Sequence, residues 1–186
     1  MEQITELAGP VLQFKTRAEK VGAKVLVAVN LAEAVALIAQ TIAEGETGPI
    51  VVPSSLLTQE PIFKSTFQEN LQEATSTAVI TGAVAGISPG EFGICETGSV
   101  VYAVNDPLER QVAMLSVVHF ALLYADRLIP DLDTAGARLK ELQTREGRRY
   151  VSFVTGPSRT ADIERVLTIG VQGPKALYVV LINQRD

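Results

Sequence analysis

An α/β domain, three-layer α/β/α with a mainly parallel sheet and helices on both faces, is what this sequence predicts. Two observations carry that expectation. Short, β-branched apolar runs alternate along the chain with segments whose apolar residues recur at three- and four-residue spacing. The runs are apolar almost throughout rather than alternating, as strands covered on both faces are.

In chain order, Val11, Phe14, Ala18 and Val21 mark one face of a helix that Pro10 can open. Lys24 to Val29 reads as a buried strand. Asn30 with Glu33 three residues later is a capping box, and Leu31, Val35, Ile38 and Ile42 form the stripe of the helix behind it. Gly45 is expected to end that helix in a left-handed conformation. Ile50 to Val52 is a second buried strand. Pro61 suits a first helical turn, with Phe63, Phe67 and Leu71 repeating behind it. Further strands are expected at 78–85, 98–104, 117–123, 150–155 and 176–182. Between them Leu132, Ala135, Leu139 and Leu142 form a helical stripe with Asp131 as N-cap. A last helix is expected from Ser158 through Ile163 to Leu167.

Composition narrows the function classes. The chain has 186 residues, and no linker, repeat or low-complexity tract divides it, so one domain over 1–186 is expected, with a helical segment at 1–22 and an α/β core at 23–186. Sixteen Lys and Arg against 21 Asp and Glu leave a net charge of −5, which argues against nucleic acid and anionic membrane surfaces as partners. The longest apolar stretch, Val112 to Ala125, has 14 residues and is too short to span a bilayer. The acidic start, Met1 to Glu6, has no export-signal pattern, so a cytoplasmic protein is expected. A single cysteine, Cys95, rules out an iron–sulfur cluster held by this chain alone. Gly82 to Gly86 lacks the spacing of a dinucleotide fingerprint, and no Walker sequence occurs.

Three segments could carry chemistry: Ser88 to Val101, the surroundings of His119 at Ser116 to Phe120, and Thr155 to Glu164. The run Gly156-Pro157-Ser158-Arg159-Thr160-Ala161-Asp162-Ile163-Glu164 is followed by Gly170-Val171-Gln172-Gly173-Pro174 and an apolar strand. Together with the Glu96-Thr97-Gly98-Ser99 turn and a histidine in an apolar strand at His119, it resembles the LUD domain of the lactate-utilisation protein C family. The resemblance is strongest over about residues 75–182. It implies a NagB/RpiA/CoA-transferase-like fold and a role in L-lactate utilisation beside iron–sulfur partner proteins that oxidise lactate to pyruvate. The sequence departs from the family at Gln172, where a histidine is usual, and at Ser116 to Val118, where prolines are common. It carries no cysteine-rich ferredoxin-like stretch of the kind that larger relatives append, so electrons would pass through partners.

Gly156, Ser158, Arg159 and Thr160, at an expected helix start, would hold a carboxylate or phosphate through backbone N–H groups, hydroxyls and a guanidinium. The alternative is that Ser158 or Thr160 only caps the helix and Arg159 pairs with a surface acid, a reading that Asp162 and Glu164 favour by repelling an anion. Glu96, beside Gly98 and Ser99, would serve as base or nucleophile, as a Glu does in CoA transferases of similar fold, or would be a solvated residue of a tight turn. His119 is either an acid–base group or a core histidine bonded to backbone. No local spacing around it provides metal ligands, and Cys95 reads as a packed side chain. The function expected is an accessory or substrate-binding subunit of organic-acid oxidation. The competing readings are a stand-alone enzyme on a small anionic metabolite, a thioester or sugar phosphate, acting through Glu96 and Arg159, and a purely structural subunit.

Overall fold

In the computed structural model, residues 9–45, 47–161, 167–170 and 173–184 are described. Helix α1 (Gly9–Lys20) leads into β1 (Lys24–Ala28), α2 (Leu31–Ala43) and β2 (Ile50–Val52). Short helices α3 (Ser54–Gln59) and α4 (Ile62–Phe67) precede β3 (Leu71–Glu73), and α5 (Thr77–Thr81) precedes β4 (Ala85–Pro89). Next come β5 (Phe92–Ile94), β6 (Ser99–Ala103), α6 (Pro107–Leu115), β7 (Val118–Tyr124), β8 (Leu128–Ile129) and α7 (Leu132–Glu146). The chain ends with β9 (Val151–Val154), β10 (Arg159–Ala161), β11 (Leu167–Ile169) and β12 (Ala176–Ile182).

Six strands form an all-parallel central sheet in the order β1-β12-β7-β4-β2-β3, as the continuous apolar runs predict. One face is covered by α2, α3 and α4: Val35, Ile38, Leu56, Phe63 and Phe67 pack on Ile87, Phe120, Leu122, Val180 and Ile182. The other face, presenting Val25, Ala121, Leu123, Leu177 and Val179, is covered by α1 and by a second, four-stranded sheet in the order β8-β5-β6-β9. Helix α7 closes the outer side of that small sheet through Ala135 and Leu142 against Phe92, Ile94 and Val101. Helices α5 and α6 share a smaller cluster with β2, built on Ile80, Val112 and Val51.

The α/β class, the parallel sheet and most elements are as expected, and the differences have local causes. Residues 78–85 do not form one strand. Ser76 accepts a hydrogen bond from the Val79 N–H at 3.3 Å and caps α5, so the strand begins only at Ala85. Leu71 does not continue the Phe63 and Phe67 repeat, because the chain turns at Gln68, with φ of 44°, and Leu71 opens β3. Helix α2 ends on Glu44 in ordinary helical geometry (φ −80°), so left-handed closure at Gly45 is not used. The strand expected at 150–155 belongs to the small mixed sheet, paired antiparallel with β6.

The last expected helix is absent from its described part, since Arg159–Ala161 and Leu167–Ile169 pair antiparallel. The Ser158 N–H donates to the Pro174 carbonyl and the Ser158 carbonyl accepts from the Gly170 N–H, both at 2.9 Å. Those groups are committed across the chain and unavailable to a helix. Ile163 lies outside the described residues.

Both predicted caps form. Asn30 Oδ1 accepts from the Glu33 N–H at 3.0 Å, and Glu33 Oε2 reaches back to the Val29 N–H at 2.6 Å. Asp131 accepts from the Thr134 N–H at 2.8 Å. Replacing Asn30 with alanine is expected to cost about 1 kcal/mol in urea unfolding at neutral pH, because α2 is buried along one side and its first N–H groups lose their acceptor. A loss below a few tenths would mean that Glu33 alone satisfies that terminus.

Candidate functional site

The two sequence motifs meet at the end of α1. The Glu96–Ser99 turn follows β5 and the Thr155–Arg159 turn follows β9, and β6 and β9 are neighbours in the small sheet. Ser99 Oγ lies 2.7 Å from both Thr97 Oγ1 and Thr155 Oγ1, so three hydroxyls form one chain across the two turns. Both turns also press on the last turn of α1 and its exit. Gly98 has φ of 70°, and a Cβ there would stand 2.3 Å from the Ala18 backbone nitrogen. At Gly156 (φ 81°) a Cβ would stand 2.3 Å from the Val21 carbonyl oxygen. The Arg159 guanidinium donates to that same Val21 oxygen at 2.7 Å. Thus glycine at these positions lets two backbones approach a third.

Arg159 is exposed and its bond goes to backbone, not to a surface acid. Ser158 is half-buried, with its Cβ facing Gly173. Thr160 is placed by its backbone in β10, paired with Thr168. Asp162, Glu164 and Gln172 lie outside the described residues. The helix start on which the anion-site argument rested is replaced by strand pairing, so any anion here would be held by hydroxyls and the guanidinium rather than by helix N–H groups. Because β9 lies outside the parallel sheet, the turn after it sits by the amino ends of β7 and β12, where the Lys175 N–H bonds the Val117 carbonyl, and not at their carboxyl ends.

Glu96 is exposed, and its carboxylate accepts from the Leu132 N–H at 3.1 Å, at the start of α7. A carboxylate is favoured at that position because it meets the free N–H groups of the helix. Its backbone N–H donates to the Pro130 carbonyl, which anchors the turn against α7. Cys95 is buried with its thiol on the Pro10 carbonyl, and burial pushes its pKa up.

His119 is fully buried between the two sheets and belongs to a separate polar seam. Its Nε2 lies 2.9 Å from Ser88 Oγ, and its ring centroid lies 6.0 Å from that of Tyr102. Among the described residues Nδ1 has no hydrogen-bond partner. The bond is to a side chain, not to backbone. Burial holds the His119 pKa down at about 3, so the ring is neutral at physiological pH, and burial likewise raises that of Tyr102 against a small opposing effect of Ser88. Sequence reading took in Ser88 only as the first residue of a candidate segment and missed Tyr102. Their signal was weak: each is a polar group on a mostly apolar strand, and only the pairing of β4 with β7 and the packing of β6 above them joins them to His119.

Among the described residues no group of three His, Cys, Asp or Glu could hold a metal ion, and no helix is long and apolar enough to cross a membrane.

A family model for the LUD domain matches residues 11–182. Lactate utilization protein C of Bacillus velezensis is 27% identical over 162 residues, covering 75% of this chain and 64% of that protein. The protein of the same name from Anoxybacillus flavithermus is 28% identical over 172 residues (85% and 74%). That from Bacillus licheniformis is 32% identical over 117 residues (61% and 46%). The chain thus spans from about half to three quarters of the length of these relatives. A crystal structure of a DUF162 family protein from Deinococcus radiodurans has the same fold, with a TM-score of 0.71 over 96% of this chain and all of that one, at 19% identity.

Proposed function

The chain belongs to the LUD domain family, and from that premise we propose that it is an accessory or substrate-binding subunit in the utilisation of L-lactate or a closely related organic acid. Its relatives named lactate utilization protein C support the process. The observation that carries a binding role is the hydroxyl chain Thr97–Ser99–Thr155, which joins the two motif turns beside Arg159. Hydroxyls and a guanidinium are the donors that a small carboxylate with a neighbouring hydroxyl accepts. In this reading Arg159 exchanges the Val21 carbonyl for the carboxylate. Oxidation removes two electrons, and iron–sulfur partner proteins would receive them, since this chain has only one thiol, and that one is buried.

The test is gentle purification of the tagged protein from its own cells grown on L-lactate, with iron content and mass spectrometry of what accompanies it. Stoichiometric recovery of iron–sulfur chains is expected, with recovery falling for Arg159→Ala if lactate binding supports assembly. Recovery of the wild-type chain alone and free of iron rejects the accessory reading.

A further inference from the structure

We propose a second ligand site, independent of the lactate reading, that takes a small organic monocarboxylate with an aromatic or branched apolar body. A cavity of about 300 Å³ opens at the amino ends of β4, β7 and β12, under the last turn of α2. It lies on the opposite face of the parallel sheet from His119, since its residues Phe120 and Tyr178 pack with the α2 cluster while Ala121 and Leu123 pack with the other. Its size falls at the lower end of small-molecule sites.

The lining separates into an apolar body and a polar rim. Val84, Val118 and Phe120 form the floor and Ile42 the roof. Phe120 is stacked on Tyr178, with ring centroids 4.8 Å apart and planes 21° from parallel. Phe120 is itself fully buried, so the half-buried Tyr178 ring, together with Ile42, Val84 and Val118, is what meets an apolar group. Lys175 stands at the rim. Lys24 Nζ donates to the Tyr178 hydroxyl at 2.9 Å, so the hydroxyl keeps its own proton to offer to an acceptor.

Charge decides the class of ligand. Among the described residues neither Lys24 nor Lys175 takes part in an ion pair, although the chain has five more acidic than basic residues. Three backbone N–H groups around the cavity are already in use: Val84 donates to the Pro49 carbonyl, Val118 to the Val84 carbonyl and Lys175 to the Val117 carbonyl. The polar groups at the cavity that select a ligand are therefore the Lys175 ammonium and the Tyr178 phenol, to which Lys24 donates from behind, and both suit a carboxylate. A neutral ligand would leave them unanswered, and a dianion would bring charge into an apolar floor.

Benzoate is the probe, with benzamide as its neutral counterpart and acetate as a carboxylate without the body. Titrations of labelled full-length protein would be followed by amide NMR shifts. Saturable benzoate binding is expected, with shifts centred on Ile42, Val84 and Val118. Benzamide, acetate, and benzoate on Lys175→Gln should each bind at least about tenfold more weakly. Lys175 is exposed, and an unchanged melting curve would show that its variant folds. Tyr178→Phe, which keeps the ring, should weaken benzoate by several-fold. Absence of saturation in the wild type, equal binding of benzamide, or unchanged affinity in Lys175→Gln overturns the proposal.

Discussion

Gly98→Ala is expected to lower stability by about 3 kcal/mol or more in urea unfolding, one of the two largest effects we foresee. The left-handed backbone accounts for about 1 kcal/mol of this. The rest comes from overpacking, which costs about 1–3 kcal/mol in a closely packed setting. The added carbon would meet Ala18 N at 2.3 Å and Ala18 Cα and Arg17 C at 2.6 Å, all of them backbone atoms. They can yield only if α1 lifts, which would expose Val11, Phe14 and Ala18, now buried against the sheets. Since Gly98 lies between Thr97 and Ser99, the same shift would break the hydroxyl chain to Thr155 and weaken any ligand held there. Gly136→Ala supplies a control of opposite sign. It lies exposed within α7 with nothing within 4 Å of an added Cβ, and should gain about 0.5–1 kcal/mol. A loss under about 1 kcal/mol for Gly98→Ala would mean that α1 does not bear on this turn in solution.

Between pH 7 and pH 5 the protein is expected to lose about 2 kcal/mol of stability through His119 alone. Its pKa is about 3 when folded, against an ordinary 6.5, because burial disfavours the imidazolium. In that interval the unfolded chain binds a proton that the native chain does not. Stability from this group is therefore complete above about pH 6.5 and falls as the pH drops toward 3. His119 is the only histidine, and because burial also raises the Glu109 pKa, which acts with the opposite sign at the acid end of the window, the variant comparison isolates the His119 part. His119→Gln removes the titration, so it should start from a lower stability, having disturbed the Ser88 bond, yet change much less between pH 7 and 5. A wild type equally stable at both values, or a variant with the same slope, would show that the ring is solvated or already charged in the native state.

The covalent order of the residues was enough for whatever depends on near neighbours. Apolar runs such as 24–29, 117–123 and 176–182 announced buried strands, and Asn30 with Glu33 and Asp131 with Thr134 announced helix starts, because those preferences act within about one turn of chain. Asp106 with Pro107 carried a similar signal for α6 that went unread: Asp106 accepts from the Leu108 and Glu109 N–H groups at 2.7 and 3.2 Å. The motif segments were also legible, Glu96 to Ser99 and Gly156 to Arg159, though not what each side chain does. Glu96 faces the start of α7 and Arg159 the end of α1, partners 36 and 138 residues away.

Long-range pairing decided the remainder. Whether residues 150–155 join the parallel sheet or the small mixed one depends on the partner that β6 offers, and whether 159–161 coil or pair depends on 167–169. Short segments of this kind have little intrinsic preference, and the backbone takes whichever hydrogen bonds the surrounding fold provides. The same holds for the neutrality of His119, which follows from two sheets closing over it and not from its neighbours in sequence.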